Sequence, residues 1–196
     1  MNSKNKWNSK YKERINQLEA PMPNERLAIL SPYLTGGSAL DLACGLGGNS
    51  LFLARLNFQV HAMDISDVAV NYLEEIAGKQ KLAIFPRLCD LTDMTHHNLN
   101  NSSFSLIVIT YYLDRSLFPL VKSIVKDNGY FFMETFYKSP KKKNQGVSDQ
   151  YKLLPGELLA EFSDWKVLFY EENEHDGRQT IFCQKQKSVR NHKSIL

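Results

Sequence analysis

Between residues 38 and 183 the spacing of hydrophobic positions switches repeatedly between the two-residue period of strands and the longer period of helices. SALDL (38–42) reads as a strand that runs into a glycine-rich turn, and 49–57 then has the pattern of a helix. QVHAM (59–63) is a second strand, ending at Asp64. Ser66 follows as an N-cap, because its hydroxyl can accept from the first unpaired amides of a helix. Behind it Val68, Ala69, Tyr72, Leu73 and Ile76 share one helical face, and Gly78 is expected to stop the helix. AIFPRL (83–88) is a third strand; Pro86 has no N–H to give a ladder, which puts this strand at an edge. SLIVIT (105–110) is apolar on both faces, as a central parallel strand should be. Residues 117–126 suit a helix with Pro119 in its first turn, ended by Asp127-Asn128-Gly129. YFFMETF (130–136) is the fifth strand, and 138–150 is a polar, basic loop. Pro155-Gly156 opens a short helix to Phe162, and WKVLFYEE (165–172) and QTIFC (179–183), joined by NEHDGR, form a hairpin.

Alternating strands and helices predict a parallel sheet wrapped by helices, and the closing hairpin adds an antiparallel strand at the other edge. Only a doubly wound α/β fold accommodates both. Ligands of that class bind beyond the carboxyl ends of the strands. The chain has 196 residues, enough to bury ~70% of the unfolded surface in one core. With no repeat or linker inside it, residues 1–184 are expected to form a single domain, with 1–30 as an N-terminal helical segment and 185–196 as a basic, disordered tail.

Composition narrows the setting. No apolar run reaches membrane-spanning length and MNSKNKWNSKYKER has no apolar core, so neither a membrane partner nor a signal peptide is expected. Cys44, Cys89 and Cys183 lack a disulfide-framework spacing, which suits reduced thiols in a cytoplasmic protein. The net charge is +3, but the basic residues cluster in 4–14, 138–143 and 185–193 around an acidic body. That is not a nucleic-acid footprint, so the expected partner is a small molecule.

The candidate chemistry begins at LDLACGLGGNS (40–50), where Gly45 and Gly47 allow a positive φ and close backbone approach to a ligand. Read as the dinucleotide fingerprint G-x-G-x-x-G, the segment has Ser50 where the third glycine belongs, which disfavours a nicotinamide oxidoreductase. The spacing Asp41-x-Ala43-x-Gly45-x-Gly47, with Asn49 in the register of a fourth small position, resembles the acidic-x-G-x-G-x-G motif of class I S-adenosylmethionine methyltransferases. Asp64 ends the second strand about 20 residues on, where one carboxylate can accept from both hydroxyls of a ribose. Asp90, in RLCDLTD, ends the third strand, a position that in the resembled family accepts from the adenine amine. The resemblance adds Ile65, Leu91 and Thr110 to the cofactor-binding set.

A closer resemblance spans about 7–184. WNSKY (7–11), PNERL (23–27), ALDLACGLGGNS (39–50), VHAMDIS (60–66), TYYLDR (110–115), NGYFFMETF (128–136) and YKLLPGEL (151–158) occur in the same order in tellurite-resistance-type methyltransferases, with thiopurine methyltransferases more distant. The resemblance implies a Rossmann-like seven-stranded sheet of order 3-2-1-4-5-7-6 with strand 7 antiparallel. It also implies S-adenosyl-L-methionine as cofactor and S-adenosyl-L-homocysteine as product, with methyl transfer to a small soft acceptor such as a thiol or a selenium or tellurium oxyanion. In relatives an N-terminal segment closes over the cofactor; Trp7 and Tyr11, four apart, would share one helical face, either there or as a packed aromatic pair. One departure is plain: the family reads Gly-Arg-Asn where this chain has Gly48 in place of Arg.

On the acceptor side, Tyr111 and Tyr112 follow the central strand, one expected to face the site and the other to pack. Thr110-Tyr111-Tyr112-Leu113 is not the Asn/Asp-Pro-Pro-Tyr of enzymes that methylate nucleobase or glutamine nitrogens. Glu134 is the carboxylate nearest this side, as a base or acceptor contact, or simply solvated or paired with a lysine. His96-His97 point apart and imply no metal site. The remaining alternative is a protein that binds S-adenosylmethionine or S-adenosylhomocysteine without turnover, and the expected state is monomer or homodimer.

Overall fold

The computed structural model describes residues 2–93, 99, 103–142 and 146–187. His96, His97, Lys143 and the segment 188–196 lie outside the described residues. The strands are β1 (Gly37–Leu42), β2 (Phe58–Asp64), β3 (Ile84–Leu88), β4 (Phe104–Thr110), β5 (Val125–Phe136), β6 (Lys166–Asn173) and β7 (Arg178–Gln184). They form one sheet of order β3-β2-β1-β4-β5-β7-β6. β7 runs antiparallel to both neighbours and the other pairs are parallel. The helices are α1 (Ser3–Asn16), α2 (Glu25–Ile29), α3 (Gly48–Arg55), α4 (Asp67–Gln80), α5 (Leu117–Ile124) and α6 (Glu157–Glu161).

The central strands are apolar on both faces because both are covered. Leu40, Leu42, Ile107, Ile109, Phe131 and Met133 belong to one layer with Leu117, Val121 and Ile124 of α5 and with Phe162 and Trp165. Their alternate neighbours Ala39, Leu106, Val108 and Phe132 belong to the other, with Leu51 and Leu53 of α3, Leu73 of α4 and Leu27 of α2. β3, carrying Pro86, is one edge strand. Among the described residues no helix is long and apolar enough to cross a membrane.

Two boundaries differ from expectation. Helix α4 passes through Gly78, where an added Cβ would meet nothing within 4 Å. An exposed glycine costs a helix only ~1 kcal/mol, and the helix ends instead at Lys81, in the left-handed region at φ 54° with its N–H bonded to Ala77 and Gly78. Asp127-Asn128-Gly129 is not a helix terminator: α5 ends at Ile124, and these residues lie within β5. There Asn128 takes φ 61° beside a register shift against β4, so the turn residues make a kink in a strand.

Candidate active site

The chain leaves β1 through Ala43 (φ 57°), Gly45 (φ 54°) and Gly47 (φ 84°). A side chain at Gly47 would collide with Leu73 of α4 at 2.4 Å, so the turn is both left-handed and tightly packed. Asp64 braces it from β2: Oδ2 accepts from the Gly45 amide and Oδ1 from the Ser66 amide, each at 2.9 Å. Burial raises the Asp64 carboxyl above its ordinary pKa, against the lowering effect of those amides. Asp41 is fully buried; Oδ2 accepts from Ser50 at 2.6 Å, while Oδ1 has no hydrogen-bond partner among the described residues. Burial pushes the Asp41 carboxyl up to about 7, with the Ser50 bond opposing and Asp64 adding. Ser50, the residue that breaks the dinucleotide fingerprint, is thus the partner of the first acidic residue.

Helix α1 roofs this turn. Tyr11 lies directly over Gly45, whose added Cβ would sit 3.0 Å from the phenol oxygen, and Trp7 stacks on Tyr11 with ring centroids 5.6 Å apart. Lys4 pairs with Asp67 at 3.1 Å, and Ser66 donates to Asn8 at 2.5 Å, tying α1 to the start of α4. Under this roof Asp64 is only 3% exposed. Burial, with the Asp64 charge, raises the Tyr11 phenol above its ordinary range. Ile65 is half-buried and Leu91 buried, whereas Asp90 is exposed and accepts from the amide and hydroxyl of Thr92 at 3.0 and 2.7 Å.

A second polar cluster occupies the ends of β4 and β5. Glu134 is fully buried and is neither solvated nor paired with a lysine. Its Oε1 accepts from Asn24 at 2.7 Å, from Tyr111 at 3.0 Å and from Arg178 at 3.4 Å. Its Oε2 accepts from Thr180 at 2.9 Å and pairs with Arg26 at 3.3 Å. Tyr111 is the site-facing tyrosine: its backbone takes φ 58°, and its hydroxyl also accepts from Arg178 at 2.8 Å and Asn24 at 3.1 Å. Burial and the Glu134 charge raise its phenol above the ordinary value, against Arg178 and Asn24. Tyr112 packs half-buried on the apolar layer, and burial with Asp114 pushes it up to about 12. A cavity of about 310 Å³ opens onto Tyr111, Glu134, Asn24, Arg26, Arg178 and Asp176.

Asn24, Arg26 and Arg178 are the site residues that sequence reasoning missed. PNERL carried Asn24 and Arg26, but Asn24 and Glu134 stand 110 positions apart, so no local spacing links them. Arg178 read only as the last residue of the hairpin connection NEHDGR, whereas it opens β7. Asn49 joins the two halves: its Nδ2 donates to Thr110 at 3.0 Å and its Oδ1 accepts from the Asn24 amide at 2.9 Å.

A sheet of this order, with an antiparallel seventh strand and a carboxylate-braced glycine turn after β1, is the Rossmann-like fold of class I methyltransferases. The chain belongs to the tellurite resistance protein TehB family, whose sequence profile matches residues 4–184. It is 26% identical over 148 residues to a probable S-adenosyl-L-methionine-dependent methyltransferase TehB of Haemophilus influenzae, covering 74% of this chain and 50% of that one. The chain therefore spans about half the length of the curated relatives it matches. The crystal structure of TehB from Haemophilus influenzae superposes with a TM-score of 0.75 at 21% identity, over 92% of this chain and 67% of that one. A [4+2]-cyclase, SpnF, shares the fold at a TM-score of 0.66 and 16% identity, over 83% and 81%, so the fold alone does not fix a reaction.

Proposed function

We propose that this chain is a methyltransferase that uses S-adenosyl-L-methionine to methylate a small, soft acceptor, a thiol or a selenium or tellurium oxyanion, with residues 1–184 acting as one unit. The observation that carries the reading is the pairing of two sites at the carboxyl ends of neighbouring strands. A carboxylate-braced glycine turn (Asp41, Gly45, Gly47, Asp64) suits a ligand with ribose hydroxyls and an ammonium group. Beside it, joined through Asn49, stands a cavity with two guanidinium groups.

The donor set fits that cofactor. Each Asp64 oxygen accepts one amide and keeps further acceptor capacity for a hydroxyl, and Asp41 Oδ1 is a buried acceptor with no partner among the described residues. When bound, the cofactor supplies a methyl group activated by a sulfonium charge. The protein's work is then to position two reactants rather than to move protons. Tyr11 and Trp7 would cover the cofactor and exclude water, while Tyr111 and Arg178 would orient the acceptor. Glu134 is encircled by donors and organises them. Thr110, Ala43, Ile65 and Leu91 line the approach; Asp90 would meet the adenine once its local bond to Thr92 is exchanged.

The test is calorimetry with S-adenosylmethionine and with NAD, followed by an assay for S-adenosylhomocysteine with thiol, selenite and tellurite acceptors. Binding and turnover with one of these acceptors are expected. Binding without any product would favour a ligand-binding protein, and heat with NAD alone would favour an oxidoreductase.

A further inference from the structure

We infer that Gly48 is a specificity-determining position: it seats the strap between α1 and α2 against α3, and so decides that Asn24 and Arg26 furnish the acceptor site. The inference rests on the methyltransferase reading above and adds a positioning residue to it.

Gly48 opens α3, and unlike Gly45 and Gly47 its backbone is outside the left-handed region. Nothing about its conformation demands glycine. The demand comes from space: a Cβ there would lie 2.0 Å from the carbonyl oxygen and 2.6 Å from the carbonyl carbon of Met22. Both are backbone atoms, so no rotamer change relieves the overlap. The three atoms nearest that Cβ all belong to the Met22 backbone, and the residue as a whole is 78% exposed. Pro21 and Pro23 flank it, fixing their own φ and restricting the residues before them, so the strap yields little by local adjustment.

Two residues on, the strap delivers its payload. The Asn24 amide donates to Asn49, the neighbour of Gly48, at 2.9 Å. The Asn24 side chain caps α2 by accepting from Arg26 and Leu27 at 3.0 and 3.2 Å, and donates to Glu134 at 2.7 Å. Arg26, now on α2, reaches Glu134 from the other side at 3.3 Å. Ordinary contact with a Cβ begins near 3.4 Å, so any side chain at position 48 drives Met22 back by more than an ångström. Bonds at 2.7 and 2.9 Å do not survive such a retreat. Gly48 supplies the room and Asn49 the latch.

The experiment is amide hydrogen exchange on the full chain for wild type, Gly48→Ala, Asn49→Ala and Met22→Ala, with S-adenosylhomocysteine calorimetry and with sodium selenite as acceptor probe. Gly48→Ala and Asn49→Ala should each speed exchange at the Asn24 and Leu27 amides by about tenfold or more, while Met22→Ala stays silent. Gly48→Ala should hold cofactor-product affinity within about threefold, and Asn24→Ala, costly in wild type, should cost less than about twofold in the Gly48→Ala background. Unchanged exchange at Asn24 in a folded Gly48→Ala, or in Asn49→Ala if the former does not fold, overturns the inference. Loss of S-adenosylhomocysteine binding by wild type would strike the methyltransferase reading instead and leave the exchange result standing.

Discussion

The hydroxyl of Tyr111 donates to Glu134 Oε1 at 3.0 Å across the ends of β4 and β5, on a carboxylate that four other side chains also reach. A carboxylate offers about four acceptor positions. Surrounded in this way, Glu134 holds Tyr111, Asn24 and the two arginines in place and has no lone pair to spare for an acceptor's proton.

The first prediction follows from that relationship. General-base assistance is typically worth ~10²–10⁴-fold, and Glu134 should not supply it. The pH profile of turnover, measured with two thiols of different pKa, should shift with the thiol in both wild type and Glu134→Gln. The substitution should instead lower unfolding free energy by about 2–3 kcal/mol, below the ~3–5 kcal/mol of a wholly buried pair, because both guanidinium groups reach solvent. A profile fixed at one pKa for both thiols would make Glu134 the base.

Arg178 should discriminate acceptors by charge. Its guanidinium stacks 4.7 Å from the Tyr111 ring centroid, and its Nε is buried with no partner among the described residues. A charge-assisted bond is worth ~1.5–3 kcal/mol, so Arg178→Met should reduce kcat/KM for an anionic acceptor by about 10–100-fold. A neutral thiol should lose less than about threefold on the same scale. Equal losses for both would assign Arg178 to packing.

Asp41 should give stability a distinctive pH dependence. Its carboxyl rises from the ordinary 3.8 to about 7 on folding, so between those values the folded chain holds a proton that the unfolded chain has lost. The contribution of Asp41 to stability is therefore greatest in acid and falls as pH rises from about 4 to about 7, by up to about 4 kcal/mol; Asp64, also raised, acts in the same direction, and the lowered carboxyls of Asp67, Glu75, Asp149 and Glu157 act against it. Thermal unfolding across that range should show the decline in wild type and a flatter curve in Asp41→Asn. An unchanged slope would remove Asp41 as its source.

Much of the fold was legible because the sheet's needs are local: strands covered on both faces read as continuous apolar runs, and Ser66 caps α4 as its position suggests, accepting from Ala69 at 3.2 Å. The strand order came from the resemblance. Gly78 and Asp127-Asn128-Gly129 misled because turn residues are tolerated where exposure or a strand kink absorbs them. The glycine turn and Asp64 were legible for the same local reason. The acceptor cluster was not, since it assembles from Asn24, Arg26, Tyr111, Glu134 and Arg178, which only the fold brings together.

Trp7 should report movement of the α1 roof. It stacks on Tyr11 above Gly45, and Asp64 beneath is almost wholly covered, so a ligand reaches Asp64 only if α1 moves. Titrating S-adenosylhomocysteine should change tryptophan emission in wild type and not in Trp7→Phe, in which the buried Trp165 remains. A full signal surviving in Trp7→Phe would show that α1 does not respond.

The most direct test is calorimetry of S-adenosylhomocysteine against wild type and Asp64→Ala. Two hydroxyl bonds to a carboxylate, each worth ~1.5–3 kcal/mol, predict a loss of affinity of at least ~100-fold in a folded mutant, with no heat from NAD in either. An unchanged dissociation constant, or binding of NAD in place of S-adenosylhomocysteine, would contradict the account.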